Sequence, residues 1–515
     1  MKAVSFSLLL LLAAPVVSPA KPKSDYKKPE TTVSPDYKNG SGWREMRPLE
    51  TLPRGAWWTV FKDATLNKLE ARATAENQQL RAAVARFDQA RATARVARGN
   101  FFPQANLGLD FNHQRTSQNA PSPVPLNGLK YEGGSFEVPL DLTYEIDLWG
   151  RVRRQYETNL EQAAAEAAAM QNVLLSLQAD VAQNYFRLRA LDGELATLRE
   201  AVGWRKQWVD VVRGQVKAGA GNELEQAQAE TEYASAQTEV ASLGSQRAQL
   251  ENAIAILCGA DPSRFTIEPT GKGLSSPPAI PAGVPTDLLE RRPDIAQAER
   301  LLVAANAQLG IAQRAWFPSL KLIATGGFLS SEISSLFESA SSKWIIGPKV
   351  SLPIFSGGKN KANLERARAQ YDEGLALYRQ SILTALGDVE NQLTALSHLS
   401  EQAAAQSRVL TSSVKAAGIA RVQFDAGAGA YLNVIDTERT SLSARRGIHQ
   451  VAGQRLIATV GLIKALGGGW HQSLPVVVPA QTPDPDAKSS PENKKPGLLK
   501  RLFTRKEKPV NGQNQ

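Results

Sequence analysis

The residue types that most often perform chemistry are scattered along this chain without a recognisable pattern. Serine and aspartate are abundant, but they form no nucleophile motif. Two glycine pairs, Gly326-Gly327 and Gly357-Gly358, fit strand ends and tight strand-to-helix junctions better than phosphate loops. The histidines have no metal-ligand spacing, and they are His113, His398, His449 and His471. We therefore expect no catalytic residue, no metal site and no cofactor.

Charge and cysteine content argue against a nucleic-acid-binding surface and against an intrachain disulfide. Lysine and arginine together number 60, and aspartate and glutamate 50, which gives a net charge of +10. Much of that surplus lies in residues 21–44 and 494–508, where basic, solvated tails are expected rather than a nucleic-acid surface. The single cysteine, Cys258, follows the apolar run 254–257, so we expect a small buried core residue and no intrachain disulfide.

The first twenty residues have the pattern of a secretory signal peptide. Lys2 supplies the positive start, residues 6–14 the apolar centre, and Ser18-Pro19-Ala20 the small-residue cleavage site. This apolar centre is too short for a membrane-spanning helix, and no later stretch approaches eighteen apolar residues. The sequence therefore predicts an exported protein without a helical anchor, and residues 21–60 are expected to be an extended segment that lies on other elements.

The clearest structural signal is a two-residue alternation over residues 136–148. One set of alternate positions is apolar or aromatic, and the other includes Glu137, Asp141, Glu145 and Asp147. This period predicts a strand with one apolar face and one acidic face. Its length matches the roughly 9–11 residues that a tilted strand needs to cross a bilayer.

The period changes after residue 150, where apolar residues recur at steps of three and four. This pattern predicts one helix over 151–218, about 100 Å long at a rise of roughly 1.5 Å per residue. Its mean apolar spacing is near the roughly 3.5 residues of a coiled coil. Gly219 and Gly221 can adopt the left-handed backbone conformation that often ends a helix. A second helix over 223–257 is expected to return antiparallel to the first.

The remaining segments complete a first structural repeat, residues 61–258. Residues 66–98 have the periodicity of a helix. Residues 103–148 predict a β-hairpin with a long tip, and its first strand contains Leu107, Leu109 and Phe111. A connector rich in proline, glycine and serine follows over 259–286.

The second half of the chain repeats the first. At an offset of 208 residues, Ala218-Gly219-Ala220-Gly221 matches Ala426-Gly427-Ala428-Gly429, so a second repeat is expected over 287–467. Its predicted elements are a helix over 293–315, a β-hairpin over 318–355, a long helix over 359–424 and a return helix over 430–466. Residues 468–515 form a C-terminal tail whose composition predicts disorder over most of its length.

Four membrane-type strands per chain are too few for a closed barrel. Outer-membrane barrels begin at about eight strands, because an open edge in lipid leaves backbone groups unpaired. The sequence therefore predicts a homo-oligomer with a β-barrel continuous with a coiled-coil α-helical barrel, and it leaves the number of subunits open. A periplasmic coiled-coil scaffold or adaptor without a pore is the alternative, but it would not need strands with a lipid-facing alternation.

Several motifs resemble those of TolC-like outer-membrane efflux proteins, in particular the OprM/NodT-type branch. The most specific is the segment Leu288-Leu289-Glu290-Arg291-Arg292-Pro293-Asp294-Ile295, and Tyr144-Glu145-Ile146-Asp147-Leu148-Trp149-Gly150 fits the same branch. The resemblance implies a membrane α/β fold, in which a homotrimer shares a twelve-stranded outer-membrane β-barrel above a long periplasmic α-barrel. It also implies the exit duct of a tripartite pump, with a periplasmic adaptor and an inner-membrane transporter of the resistance-nodulation-division type as partners.

The resemblance places a constriction at the periplasmic tips. Asp436 occupies an acidic ring position, and Asn433 stands where relatives can carry a second aspartate. A threefold ring of carboxylates would favour cations, whereas a solvated coiled-coil residue is the plainer interpretation of Asp436. Arg421 and Asp425, with Phe424 beside them, are candidates for links that hold the tip shut, and ordinary surface ion pairs are the alternative.

The two glycine turns are candidate adaptor contacts, and the alternative is that their small residues serve only the turn. The positions concerned are Ala218, Gly219, Gly221, Ala426, Gly427 and Gly429. One departure from the branch is the lack of a cysteine after the signal peptide, since members are commonly lipidated there. The expectation is therefore an unlipidated protein, held in the outer-membrane lipid by its barrel.

Overall fold

The computed structural model describes residues 26–29, 56–115, 132–271, 273–280 and 291–468. The predicted signal peptide, most of the extended segment, the tip of the first hairpin, the end of the connector and nearly all of the C-terminal tail lie outside the described residues. In the described helices, no segment is both long enough and apolar enough to cross a membrane.

The first repeat contains four helices. They are α1 (Ala64–Glu76), α2 (Gln78–Gly99), α3 (Arg151–Lys217) and α4 (Glu223–Leu257). The prediction of one helix over 66–98 was wrong, because Asn77 divides it into α1 and α2. Asn77 has an extended backbone, its side chain accepts a hydrogen bond from the Leu80 amide at 2.8 Å, and it donates one to the Leu257 carbonyl at 2.9 Å.

The second repeat has the same long helices at a constant offset. They are α6 (Lys359–Asp425) and α7 (Tyr431–Ala465), and α5 (Pro293–Arg314) precedes them. α3 and α6 each have 67 residues, and α4 and α7 each have 35. Both long helices begin after a glycine in the left-handed region, Gly150 at φ 81° and Gly358 at φ 82°, so the chain turns from strand to helix in the same way in each repeat.

The strands form one antiparallel sheet. They are β1 (Gln104–Leu107), β2 (Asp110–Arg115), β3 (Glu132–Ile146), β4 (Ser319–Ser330) and β5 (Ser342–Ser351). β1 and β2 both pair with β3, β3 pairs with β4, and β4 pairs with β5, so the sheet is four strands wide.

The first predicted strand is interrupted at Gly108 and Leu109, which separate β1 from β2. The register of both strands on β3 places Gly108 opposite Pro139. The Gly108 amide donates to the Pro139 carbonyl at 2.8 Å, but proline has no amide hydrogen to return. The expectation of an uninterrupted strand through 107–111 was therefore wrong, although the register is the same on both sides of the break.

The core lies where α1, the short 3₁₀ helix Trp57–Phe61, the middle of α3 and the end of α7 meet. Trp57, Leu66, Leu188 and Leu462 are fully buried there. Cys258 is buried in the same core, as its apolar context predicted, and its thiol lies 3.6 Å from the Leu69 carbonyl. Because α3 contacts α1, α2, α4, α5 and α7, it forms the centre of the helical region.

A buried ion network fastens the connector to α3 and α4. The Asp192 carboxylate lies 2.9 Å from Arg189 and 2.7 Å from Arg247. Both arginines also donate to carbonyls of the connector, Arg189 to Glu268 at 2.7 Å and Arg247 to Ile267. The Asp192 side chain is only 1% exposed, so its charge is balanced by the two arginines rather than by water.

Glu70 on α1 leads to a prediction about stability. Its carboxyl is fully buried without a hydrogen-bond partner among the described residues, and burial raises its pKa from 4.5 to about 9. Folding therefore takes up a proton between these two pH values, and the stability falls as pH rises through that window. We expect Glu70→Gln to raise the free energy of unfolding by about 5 kcal/mol at pH 8, because pH 8 lies about 3.5 units above 4.5 and each unit corresponds to roughly 1.4 kcal/mol.

Thermal unfolding at pH 5 and pH 8 measures this effect. The variant should gain at pH 8 and differ little from wild type at pH 5. Glu76→Gln is the matched control, since this carboxylate lies on the same helix but is exposed and paired with Arg72. An equal shift of the midpoint at both pH values would contradict the prediction.

Candidate functional site

Each long helix ends in the same turn. After α3, the Gly219 amide donates to the Val216 carbonyl at 3.0 Å and the Ala220 amide to the Gln215 carbonyl at 2.9 Å. After α6, the Gly427 and Ala428 amides repeat both hydrogen bonds, at 2.9 and 2.8 Å. Gly219 has φ 72° and Gly427 φ 70°, values that a side chain rarely adopts. Both turns are therefore Schellman caps, which stop the helix and satisfy its last carbonyls.

The predicted adaptor-contact residues all lie in these two turns. Ala218, Gly219, Ala426 and Gly427 are exposed, while Gly221 and Gly429 are partly buried. A side chain at Gly221 would lie 2.6 Å from the Val216 amide nitrogen, so the turn itself requires this glycine. We use the name tip region for these turns together with the last turns of α3 and α6 and the first turns of α4 and α7.

An aromatic cluster joins three helices in the tip region. The Trp208 ring of α3 lies 5.4 Å from Phe424 of α6 and is stacked 5.5 Å from Tyr431 of α7. Phe424 and Tyr431 are 5.7 Å apart. Val209 and Val434 are buried against them, and burial raises the pKa of the Tyr431 hydroxyl to about 12. Phe424, a candidate for the constriction, thus packs against neighbouring helices of its own chain.

A charged tie lies beside the aromatic cluster. Glu232 of α4 is 7% exposed and forms ion pairs with two arginines, Arg205 of α3 at 3.2 Å and Arg439 of α7. The Arg205 guanidinium also donates to the Glu232 carbonyl at 2.9 Å. Glu232 therefore links α3, α4 and α7 near the tip region. Among the described residues, its only bond to α7 is the one with Arg439, whose side chain is 57% exposed.

A second tie follows one heptad along the same pair of return helices. Glu239 of α4 lies 2.7 Å from Arg446 of α7, and Arg446 is also 3.5 Å from Glu194 of α3. Glu232 to Glu239 and Arg439 to Arg446 are both steps of seven residues. Charges at this spacing are typical of coiled-coil flanking positions, where they bridge neighbouring helices.

The other predicted gate residues lie on exposed surfaces. Asp436 and Asn433 point away from the face of α7 that carries Val434 and Ile435, which is buried. Arg421 and Asp425 are exposed at the end of α6. In the described part of the chain, none of Arg421, Asp425 and Asp436 forms an ion pair. A single chain therefore leaves these charges open to a neighbouring molecule.

Sequence reasoning missed the aromatic cluster apart from Phe424, and it missed the two ties. A signal for the ties was present, since Glu232–Arg439 and Glu239–Arg446 are each separated by 207 residues. The repeat offset is 208 residues, so each glutamate of α4 pairs with the residue of α7 one position before its own counterpart in the second repeat. Among the described residues, no group of three or more histidine, cysteine, aspartate or glutamate side chains could hold a metal ion.

Comparisons with known proteins agree with this geometry. The family model of outer membrane efflux proteins matches residues 69–260 and 284–468. The toluene efflux pump outer membrane protein TtgI of Pseudomonas putida is 33% identical over 475 residues, which cover 91% of this chain and 98% of TtgI. The outer membrane protein OprJ of Pseudomonas aeruginosa is 31% identical over 480 residues, which cover 93% of this chain and 99% of OprJ.

The fold comparison gives the same answer. The crystal structure of the Campylobacter jejuni CmeC outer membrane channel matches with a TM-score of 0.80 at 26% identity, over 87% of this chain and 95% of CmeC. The resemblance to TolC-like outer-membrane efflux proteins and the α/β channel fold are thereby confirmed. With a family model that matches most of its length, the chain belongs to the outer membrane efflux protein family.

Proposed function

We propose that three copies of this chain form one outer-membrane exit duct, and that it conducts small toxic compounds passively from the periplasm to the exterior. The observation that carries the proposal is the four-strand sheet with two open edges, at β1/β2 and at β5. Hydrocarbon offers no partner for the backbone groups of an open edge, so the strands must pair with other copies. Three copies supply twelve strands, an even number within the range of bacterial barrels.

The long helices are proposed to extend the duct from the membrane into the periplasm. α3 and α6, each of 67 residues, are about 100 Å long at roughly 1.5 Å per residue. That length brings the tip region deep into the periplasm, where the exposed glycine turns are proposed to contact a periplasmic adaptor. An inner-membrane transporter of the resistance-nodulation-division type is the proposed third component, in line with relatives that are named as outer membrane proteins of efflux pumps.

The tip region is proposed to close like an iris. Within each chain, the ties from Glu232 and Glu239 and the aromatic cluster around Trp208 hold α7 against α3 and α4. Between chains, Arg421 and Asp425 are proposed to form the links that their own chain does not supply. Asp436, exposed next to the second turn, is proposed to ring the constriction with three carboxylates.

The native mass of the protein extracted by detergent from the outer membrane tests the duct. We expect a detergent-dependent species of three chains, because only pairing between copies can satisfy the open edges of the sheet. Mass measurement by light scattering, corrected for bound detergent, decides the number of chains. A monomer or dimer that stays in the periplasm without detergent would overturn the proposal and support a scaffold without a pore.

Replacement of the proposed ring carboxylate should change ion selectivity. Asp436→Ala removes three negative charges from the narrowest part of the duct, so we expect a lower preference for cations in planar bilayers. The reversal potential in a salt gradient measures this preference. Asp210→Ala, at an exposed carboxylate of α3, removes the same charge and should leave the reversal potential unchanged. Equal values for wild type and Asp436→Ala would exclude this residue from the constriction.

Removal of the proposed links between chains should loosen the closed tip. Arg421→Ala with Asp425→Ala is expected to raise the single-channel conductance, because the tip then loses three pairs of charges. The first repeat offers a matched control in Arg213→Ala with Glu230→Ala, since these residues form a pair 2.9 Å long within one chain, with both side chains exposed. A conductance equal to that of wild type would show that Arg421 and Asp425 are ordinary surface charges.

A further inference from the structure

Two lysines face each other directly on the sheet. The register of β4 on β5 pairs Lys321 with Lys349, and the register of β3 on β4 pairs Glu145 with Lys321. Side chains of directly paired residues lie on the same face of a sheet, with Cβ atoms about 5 Å apart. Ser319 and Ser351 are also paired, two positions away on that face. We call Lys321, Lys349, Ser319 and Ser351 the lysine patch.

The lysine patch lies on the face of the sheet opposite to Leu320, Leu322 and Val350. Leu320, Leu322 and Val350 alternate with the patch along β4 and β5. In the proposed barrel, this apolar face contacts lipid, so the patch faces the lumen. The inference thus rests on the proposed function for its location.

The carboxylates of β3 on this face of the described sheet are engaged by groups other than the two lysines. Glu145 is held by the Arg151 guanidinium through contacts of 2.8 and 3.0 Å. The Thr325 hydroxyl donates to Asp141 at 2.6 Å, and Glu137 pairs with Lys343. In the described part of the chain, neither Lys321 nor Lys349 belongs to an ion pair, and both are exposed.

The space next to the patch is open. Toward the extracellular end of the strands, the next pair on this face is Ile323 with Gly347. This pair adds no charge, and the glycine has no side chain. A Cβ on Gly347 would meet nothing within 4 Å. The two ammonium groups are therefore next to free volume in the lumen, and the exposed Ser351 adds a hydroxyl donor beside them.

We propose that the lysine patch binds anionic groups, phosphate or carboxylate, on solutes that pass through the barrel. Like charges placed directly opposite each other destabilise a sheet, and an anion between them offsets that repulsion. Ammonium groups bind phosphate as compact point charges without demanding a fixed orientation, which suits transient capture in a duct. In the trimer, six lysines form a basic ring where the α-barrel opens into the β-barrel.

Block of single-channel current by inorganic pyrophosphate tests the ring. For Lys321→Gln with Lys349→Gln, we expect the concentration that halves the current to rise about tenfold, the lower range of the effect of a charged cleft on local ion concentration. Lys321→Arg with Lys349→Arg keeps the charge and should be blocked like wild type. Lys62→Gln with Lys68→Gln, at two exposed positions before and on α1, controls for net charge.

The outcomes separate this inference from the proposed function. If wild type conducts and the double glutamine variant is blocked at the same concentration, the anion site is wrong and the duct stands. If the trimer of wild type inserts into the bilayer and never conducts, the duct fails and the site fails with it. A tenfold weaker block of the glutamine variant alone supports the site.

Discussion

The open edges of the sheet are the constraint on which the rest of the structure depends. β1/β2 and β5 present unpaired backbone groups on their outer sides within one chain. Lipid satisfies none of these groups, so closure between chains is required before the apolar face can meet the membrane. Since only four residues separate the end of β3 from the start of α3, the closed sheet also fixes where the first residues of the long helix lie. The repeats are tied at this junction, where the Trp149 indole donates to the Pro318 carbonyl at 2.8 Å.

The two long helices, α3 and α6, have the same length but are buried to different extents. α3 has 28 buried residues because five other helices pack around it. α6 has only ten, since it packs mainly against α5 and α7 and meets α3 at the aromatic cluster of the tip region. Leu383, Ile419 and Val422 of α6 remain at least 49% exposed in the single chain. An apolar stripe of that length on a 67-residue helix is unlike an ordinary solvated surface. A partner helix from another chain would cover this apolar stripe, and it would also explain why the sequence has the period of a coiled coil.

Sequence periodicity was sufficient for the long elements and insufficient for their interruptions. The period of α3 and the offset of 208 residues place both long helices within a residue of their observed ends. The breaks at Asn77 and Gly108 depend on partners far away in the chain, the Leu257 carbonyl and Pro139, which no local pattern reveals. The same limit applies to the tip region. The glycine turns follow from local chemistry, but the Glu232 ties depend on how the return helices face each other.

The distribution of charge pairs favours movement at the tips over movement elsewhere. The network around Asp192 is nearly excluded from water, and breaking it would leave a buried charge without a partner. Glu239 is about half exposed, and exposed pairs contribute only about 0–1 kcal/mol. Glu232 is buried, but it keeps Arg205 as a partner when Arg439 moves away. Separation of α7 from α4 therefore costs far less than separation of the connector from α3. In the iris motion proposed above, the tip region can therefore open while the middle of the helical region and the sheet keep their packing.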